Sequence, residues 1–326
     1  MNVLVTGGAG FIGSHLVERL LAQGDHVCVI DNLATGSYRN IERFVGEPNF
    51  RLIVTDITDR ETLEREIRAA DRVYHLAAAV GVRLIVDEPV RTIQTNILGS
   101  EVVLSLCSKY HRPTLLASTS EVYGKRDAVP FREEDASSIG PTTTNRWAYA
   151  CSKMMDEFLA LAYRHEQGLP VVVVRFFNTV GPRQRGRYGM VVPRFVQQAL
   201  AGEDLVIHGD GQQQRCFGYV GDVLNGVLAL MDEPRAVGQV FNLGNNEEVT
   251  IEELARRVVE RTGSSSKLRY QPYEEAFSSG FEDMQRRVPC LDKARDLVGY
   301  RPTVDLNGII DKVVAYYREA GEAAPR

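Results

Sequence analysis

The chain of 326 residues lacks what would make it a disulfide-stapled, metal-bound or membrane-spanning protein. Its five cysteines, Cys28, Cys107, Cys151, Cys216 and Cys290, are scattered with no C-x-x-C pair. A disulfide framework or a zinc site needs clustered spacing, so these read as small apolar side chains and no metal is expected. The six histidines do not cluster either, and no H-E-x-x-H pair occurs. His15 falls on a predicted helix, His26 before a strand and His75 within one; each reads as structural. No run approaches the roughly 20 apolar residues of a membrane span. The opening MNVLVTGGAG lacks the charged and apolar regions of a signal peptide, so the expectation is a cytoplasmic protein with no membrane partner. A strong charge imbalance is missing as well. The net charge of −5 argues against nucleic acid as the main partner. A phosphate-bearing small molecule stays open, because a local arginine cluster can bind it whatever the total charge.

What is present is ordinary globular composition, 44% hydrophobic and 25% charged, enough for one large or two medium domains. Apolar runs at 3–6, 27–30, 51–54, 73–76, 114–118 and 171–177 read as buried parallel strands. Helical periodicity fills the gaps at 11–21, 61–70 and 92–110. Repeated β-α-β units predict an α/β fold with a doubly wound parallel sheet of the Rossmann type. After residue 177 the rhythm changes: a turn at Gly181-Pro182, a helix over 191–201, a strand over 205–208, then the turn Gly209-Asp210-Gly211. Thr250 with Glu253 spells a capping box opening a helix over 250–262, and another helix closes the chain over 306–318. No long linker separates these parts. The expected division is a Rossmann domain over 1–177, to which 212–245 returns, and a smaller C-terminal α/β substrate lobe over 178–211 and 246–326.

Gly7, Gly8, Gly10 and Gly13 lie where the first strand gives way to the first helix. They satisfy both G-x-G-x-x-G and G-x-x-G-x-x-G. Such a turn lets backbone approach a pyrophosphate and aims helix N–H groups at it. Asp31 ends the second strand, where a carboxylate accepts from both adenosine ribose hydroxyls and repels a 2′-phosphate; this predicts NAD rather than NADP. Asp56 is placed either to meet the adenine edge or to close an ordinary turn. The wider set expected to contact the cofactor is Phe11, Ile12, Asn32, Ile57, Leu76, Ala77, Ala78 and Asn96.

Tyr149 and Lys153 form Y-x-x-x-K, which on a helix puts phenol and ammonium on one face. Free tyrosine titrates at about pH 10, too high for a base at neutral pH, and a nearby ammonium would stabilise the phenolate. Thr119, Ser120 and Glu121 follow the strand over 114–118. Their side chains fall at the carboxyl end of the sheet, where ligands bind. Thr119 or Ser120 can orient a substrate hydroxyl toward Tyr149, and Glu121 is either functional or a solvated loop acid.

Together, T-G-x-x-G-x-x-G, S-T-S-E-V-Y-G over 118–124, Y-x-x-x-K, R-F-F-N-T-V-G-P-R over 175–183 and N-L-G-N over 242–245 resemble the extended short-chain dehydrogenase/reductases that act on sugar nucleotides. The resemblance covers nearly the whole chain. It implies bound NAD, a UDP-sugar substrate, and a homodimer built through the helices near 92–110 and 147–164. It implies substrate contacts from Asn178, Arg183, Val192, Arg215 and Arg287. Arg215 stands in a stretch similar to the family's G-x-G-x-Q-x-R-x-F. Arg185 and Arg187 are left open as a solvated loop. In such enzymes Tyr149 takes the proton of the sugar 4-hydroxyl while NAD oxidises C4. The 4-keto sugar then epimerises, loses water or, if it is a uronate, loses CO₂. Ser120 replaces the aspartate of dehydratases. The triplet Thr119-Ser120-Glu121, Arg146-Trp147 and Arg286-Arg287-Val-Pro289 resemble UDP-glucuronate decarboxylases, whereas 76–83 is nearer to epimerases. The expectation is a UDP-glucuronate decarboxylase making UDP-xylose, with a UDP-sugar 4-epimerase as the alternative. A 4,6-dehydratase ranks lower. So does a non-catalytic NAD-sensing regulator, because such proteins often lose the tyrosine or lysine kept here.

Overall fold

The computed structural model describes residues 1–80, 88–126, 128–186, 190–272, 275 and 284–321, with backbone alone at Arg146. Arg187 and the segment 81–83 lie outside the described residues.

In chain order the elements are β1 (Asn2–Thr6), α1 (Phe11–Ala22), β2 (His26–Asp31), β3 (Phe50–Val54), α2 (Arg60–Ala69), β4 (Arg72–His75), α3 (Pro89–Lys109), β5 (Thr114–Thr119), α4 (Arg146–Gln167) and β6 (Val171–Phe176). There follow β7 (Thr179–Val180), α5 (Val191–Ala201), β8 (Leu205–His208), β9 (Gln214–Cys216), β10 (Gly218–Tyr219), α6 (Val220–Asp232) and β11 (Val240–Leu243). The chain ends with β12 (Glu248–Thr250), α7 (Ile251–Thr262), β13 (Leu268–Gln271), β14 (Arg286–Arg287), α8 (Asp292–Val298) and α9 (Leu306–Glu319).

Seven strands form one sheet in the order β3-β2-β1-β4-β5-β6-β11, and every neighbouring pair is parallel. Successive strand residues feed opposite faces. Val5 and Val174 join one core with Leu16, Val17 and Leu20 of α1 and Val223, Leu224 and Val227 of α6. Leu4 and Val173 join the other with Leu63 and Ile67 of α2 and Val103, Leu104 and Leu106 of α3. Covering helices on both faces explain why the interior strands are nearly unbroken Val, Ile and Leu. The chain order runs outward from β1 to one edge and from β4 to the other. The carboxyl ends of β1 and β4 therefore open a crevice, the place where doubly wound sheets bind ligands.

A third core lies among α5, α7 and α9, with Phe195, Leu254, Ile310 and Val313 fully buried. Two small sheets flank it: β12-β9-β14, and β13 parallel to β8. β8 falls where the sequence places a strand, over 205–208, whereas the two- and three-residue strands β9, β12 and β14 are too short for periodicity to show in sequence. Gln214–Cys216 pairs with β12 and β14 of the small sheet, and the chain rejoins the large sheet through α6 and β11. Leu291, Ala294 and Tyr300, at α8, pack on the large core.

Two local features differ from expectation. α3 starts at Pro89, whose missing N–H is harmless in the first turn. The capping box is half formed: Thr250 Oγ1 accepts from Glu253 N at 3.1 Å, while the Glu253 carboxylate turns to Arg257 at 2.9 Å.

Candidate active site

The glycine turn sits at the mouth of the crevice. Gly7 has φ +74°, and a Cβ there would lie 2.7 Å from Ala77 N. A Cβ on Gly13 would collide with Gly7 O. Only glycine lets the turn fold this tightly against the strand end at 76–77. α1 opens at Gly10 with no side-chain cap and no acid in its first turn. The N–H groups of its first turn, which starts with Phe11, Ile12 and Gly13, thus have no capping side chain, an arrangement that suits a phosphate. Phe11 and Ile12 anchor that turn on the large core.

Asp31 is buried, with Oδ2 accepting from Ala9 N at 2.9 Å and Oδ1 from Leu33 N at 2.8 Å. Burial pushes its carboxyl up, and the two N–H groups oppose that. Each oxygen keeps a lone pair for a further donor. Asn32 donates to Asp56 at 2.8 Å, and Asp56 also accepts from Thr58 N and Oγ1. Asp56 thus closes a turn and fixes Asn32 at the same time. Ile57 is buried under Gly99 of α3. Leu76 and Ala77 pack on the cores, and Ala77 N donates to Thr6 Oγ1 at 3.3 Å. Asn96 accepts from Ala79 N at 2.8 Å and donates to Ser152 Oγ at 3.1 Å, tying the segment with Ala78 to α3 and α4. The residues present therefore fit a dinucleotide: an uncapped helix start for pyrophosphate and a carboxylate with spare acceptors for ribose.

Tyr149 and Lys153 stand one turn apart on α4, 8% and 2% exposed. The Tyr149 hydroxyl lies beside Thr119 at the end of β5. Thr119 Oγ1 accepts from Glu121 N at 3.2 Å and opens the 3₁₀ turn Ser120–Tyr123. The Glu121 carboxylate pairs with Arg287 Nη2 at 2.8 Å, and Arg287 Nη1 reaches Ser120 Oγ at 3.5 Å. Thr119, Ser120, Glu121, Tyr149 and Arg287 thus converge, although Arg287 arrives from the smaller lobe. Burial pushes the Tyr149 phenol well up, and the Glu121 charge adds to this; Thr119 and Arg287 oppose it. Lys153 donates to Asp156 at 2.7 Å. The ammonium that the sequence assigns to Tyr149 is therefore already held by a carboxylate.

Sequence reasoning missed the layer beneath. Arg175 pairs with Glu157 at 2.7 Å and lies over the Tyr123 ring at 4.8 Å, while Tyr123 donates to Asn242 at 2.7 Å. This network grips the turn that carries Ser120 and Glu121. Arg175 and Asn242 each open a motif noted in the sequence, but nothing there shows what they touch.

Of the expected substrate residues, Arg215 and Arg287 are register partners on β9 and β14. Asn178 donates to Cys216 O at 3.1 Å, so it sits against the same strand. Val192 is part of the smaller lobe's core. Arg183 stands apart from this group: at φ +68° it reaches α1, pairing with Glu18 and touching Ser14 Oγ. Arg185 donates to Ser37 Oγ at 2.8 Å, so it bridges to the loop after β2.

A doubly wound sheet with this glycine turn, an acid ending β2 and a Tyr-Lys pair beside the β5 hydroxyls defines an extended short-chain dehydrogenase/reductase. The chain belongs to the family described as GDP-mannose 4,6 dehydratase, whose model matches residues 4–313. It is 39% identical over 317 residues to a UDP-N-acetyl-alpha-D-glucosaminuronate decarboxylase of Bacillus cytotoxicus, covering 97% of each chain. It is 38% identical to UDP-glucuronic acid decarboxylase 1 of Xenopus tropicalis, covering 98% of this chain and 72% of that one. Its fold matches a UDP-glucuronic acid 4-epimerase from Bacillus cereus, solved with UDP-glucuronic acid and NAD. There the TM-score is 0.88 and the identity 30%, over 98% of this chain and all of the other.

Proposed function

We propose that this chain is an NAD-dependent decarboxylase of a UDP-linked uronic acid, with UDP-glucuronate as the preferred substrate and UDP-xylose as product. The observation that carries the reading is the Glu121–Arg287 pair, which stands with Ser120 beside Tyr149. Two decarboxylases of UDP-uronates among the relatives support it.

The glycine turn, the start of α1 and Asp31 would hold the cofactor, with Asn32, Asp56, Ile57, Leu76 to Ala78 and Asn96 shaping the adjoining wall. When bound, NAD supplies reversible hydride exchange at the sugar C4. In the phenolate form that Lys153 and the positive nicotinamide ring of bound NAD would favour, Tyr149 would accept the proton of the 4-hydroxyl, and Thr119 would orient that hydroxyl. Oxidation at C4 turns a uronate into a β-keto acid, whose C5–C6 bond breaks to release CO₂. The electron pair of that bond is left as an enolate over C4 and C5. Arg287 offers positive charge to that enolate. Glu121 relays to C5 a proton drawn from solvent, Ser120 fixes the pair's orientation, and return of the hydride to C4 with the Tyr149 proton to its oxygen would complete UDP-xylose. Asn178 and Arg215, with Arg183 at the lobe junction, would serve the nucleotide diphosphate, for which guanidinium is suited by bidentate pairing.

A 4-epimerase is the second reading, favoured by the fold match to the UDP-glucuronic acid 4-epimerase. Incubation with UDP-glucuronate, UDP-N-acetylglucosaminuronate, UDP-glucose and dTDP-glucose, followed by product NMR, separates the readings. CO₂ with UDP-xylose is the expected result. CO₂ from the acetamido substrate alone would move the specificity to the 2-position. A 4-epimer without CO₂ would replace the decarboxylase reading with the epimerase.

We also propose that the active form is a homodimer. Leu98 on α3 and Met155 and Phe158 on α4 are more than half exposed, and these two helices pack along each other. A paired copy would cover those side chains.

A further inference from the structure

One buried charge is unused by the mechanism above. Asp156 lies one turn beyond Lys153 on α4 and is 1% exposed. Its Oδ2 accepts from the Lys153 ammonium at 2.7 Å, and Oδ1 has no hydrogen-bond partner among the described residues. A buried carboxylate without full satisfaction is unfavourable on its own. Its position against the lysine of the Tyr-Lys pair suggests what it does.

We propose that Asp156 is a positioning residue for the Tyr149–Lys153 pair: it anchors the ammonium and sets how much of its positive charge reaches the Tyr149 hydroxyl. The inference rests on Tyr149 being the reactive acid–base group. The physics is that of a buried dipole. A lone ammonium one helical turn from the phenol favours phenolate. With a carboxylate 2.7 Å from it, the pair's field falls off faster and phenol is favoured instead.

The other charges on these groups are few. Glu121 and Arg287 face Tyr149 from the β5 end and β14, and Glu157 neighbours Asp156 on α4. His75 on β4 is neutral under ordinary conditions, held down at about 3 by burial and by the Lys153 charge. Ser100 on α3 hydrogen-bonds His75 Nε2 at 3.1 Å and lies beside Asp156. Burial and Glu121 already push the phenol up, so Asp156 adds to an existing bias toward phenol and removing it has a defined sign.

The test is an alkaline titration of tyrosinate absorbance, taken as the difference between a protein and its Tyr149→Phe counterpart so that one tyrosine is read. Asp156→Asn keeps an acceptor for Lys153 and removes the charge. Its Tyr149 midpoint should fall by about one pH unit, the lower end of what a nearby charge does. Asp156→Glu restores the carboxylate and should bring the midpoint back. If Asp156→Asn does not fold, Asp156→Ser removes the same charge and leaves room for a water. An unmoved midpoint in the uncharged variant, or an equal shift in Asp156→Glu, overturns the inference. The readout needs no substrate. Failure of the decarboxylase reading shows separately, as absence of CO₂ from UDP-glucuronate with the wild-type protein.

Discussion

His75 shows how burial sets the chemistry of one side chain. Its Nδ1 bonds Thr6 Oγ1 at 2.7 Å and its Nε2 bonds Ser100 Oγ, so the neutral ring is satisfied on both sides. Burial and Lys153 hold it down at about 3, and His15 and His208 are held at about 4, chiefly by burial. In the unfolded chain an imidazole titrates near 6.5. The folded state binds fewer protons, so this stability is complete above about pH 6.5 and is lost as pH falls toward 4 and below. Thermal melts by circular dichroism should therefore fall through that window. His75→Gln should flatten the slope, and an unchanged slope would assign the loss elsewhere. Glu121 and Arg287 make a second case. With one partner gone, the other charge is left in a site where their side chains are only 16% and 8% exposed. Glu121→Gln and Arg287→Met should each lower kcat on UDP-glucuronate by about 100-fold or more. If the pair acts as a unit, the double variant loses little beyond the worse single one. Additive losses would separate the two roles.

At the scale of an element, the turn between β1 and α1 has no slack. A methyl group at Gly13 meets Gly7 O, a backbone atom that cannot step aside without moving the turn. Gly13→Ala should weaken NAD binding at least about 10-fold by calorimetry, since the helix N–H groups lose their aim at the phosphates. Far-ultraviolet circular dichroism should stay near the wild type. Equal affinity for NAD in the variant would show that the turn does not cradle the dinucleotide. α4 is the other element with a dense assignment. Tyr149, Lys153, Asp156 and Glu157 lie on its buried side, while Met155 and Phe158 stand out from it. One helix thus holds the proposed reactive pair, two buried acids beside it and an apolar outer face.

At the scale of the whole molecule, the core under the large sheet and the core among α5, α7 and α9 are joined by apolar packing of Tyr219, Leu291, Ala294 and Tyr300 and by polar ties. Arg287 and Val288 cross from the smaller lobe to Glu121 and Phe131, and Arg183 and Arg185 cross to α1 and Ser37. The exposed apolar faces of α3 and α4 bear on assembly. Phe158 is 67% exposed, so Phe158→Glu should leave the monomer's fold intact and shift sedimentation from dimer to monomer. A wild-type chain that sediments as a monomer would remove the dimer from the reading. No helix among the described residues is long and apolar enough to cross a membrane.

The sheet was legible in sequence because interior parallel strands are buried on both faces and spell unbroken apolar runs, and helices between them keep their period. The glycine turn, Asp31 and the Tyr149–Lys153 pair were legible because each is a local motif with one geometry. The short strands β9, β12 and β14 were not, since two or three residues carry no period. Nor were the partnerships of charge. Glu121 reads as a functional acid with a solvated loop acid as the alternative, and its partner shows only when Arg287, 166 positions away in sequence, is brought against it. Asp156 reads as one more polar helix residue until burial places it on Lys153, and Arg183 reads as one of several arginines until φ +68° turns it toward Glu18. The sequence alone determined the longer elements, the glycine turn and the placing of Tyr149 and Lys153 on one helix face, because those depend on periodicity and spacing within one stretch of chain. Which charges meet, and how far each phenol or carboxylate is shifted, only the tertiary structure decided, because burial and distance between remote residues set those energies.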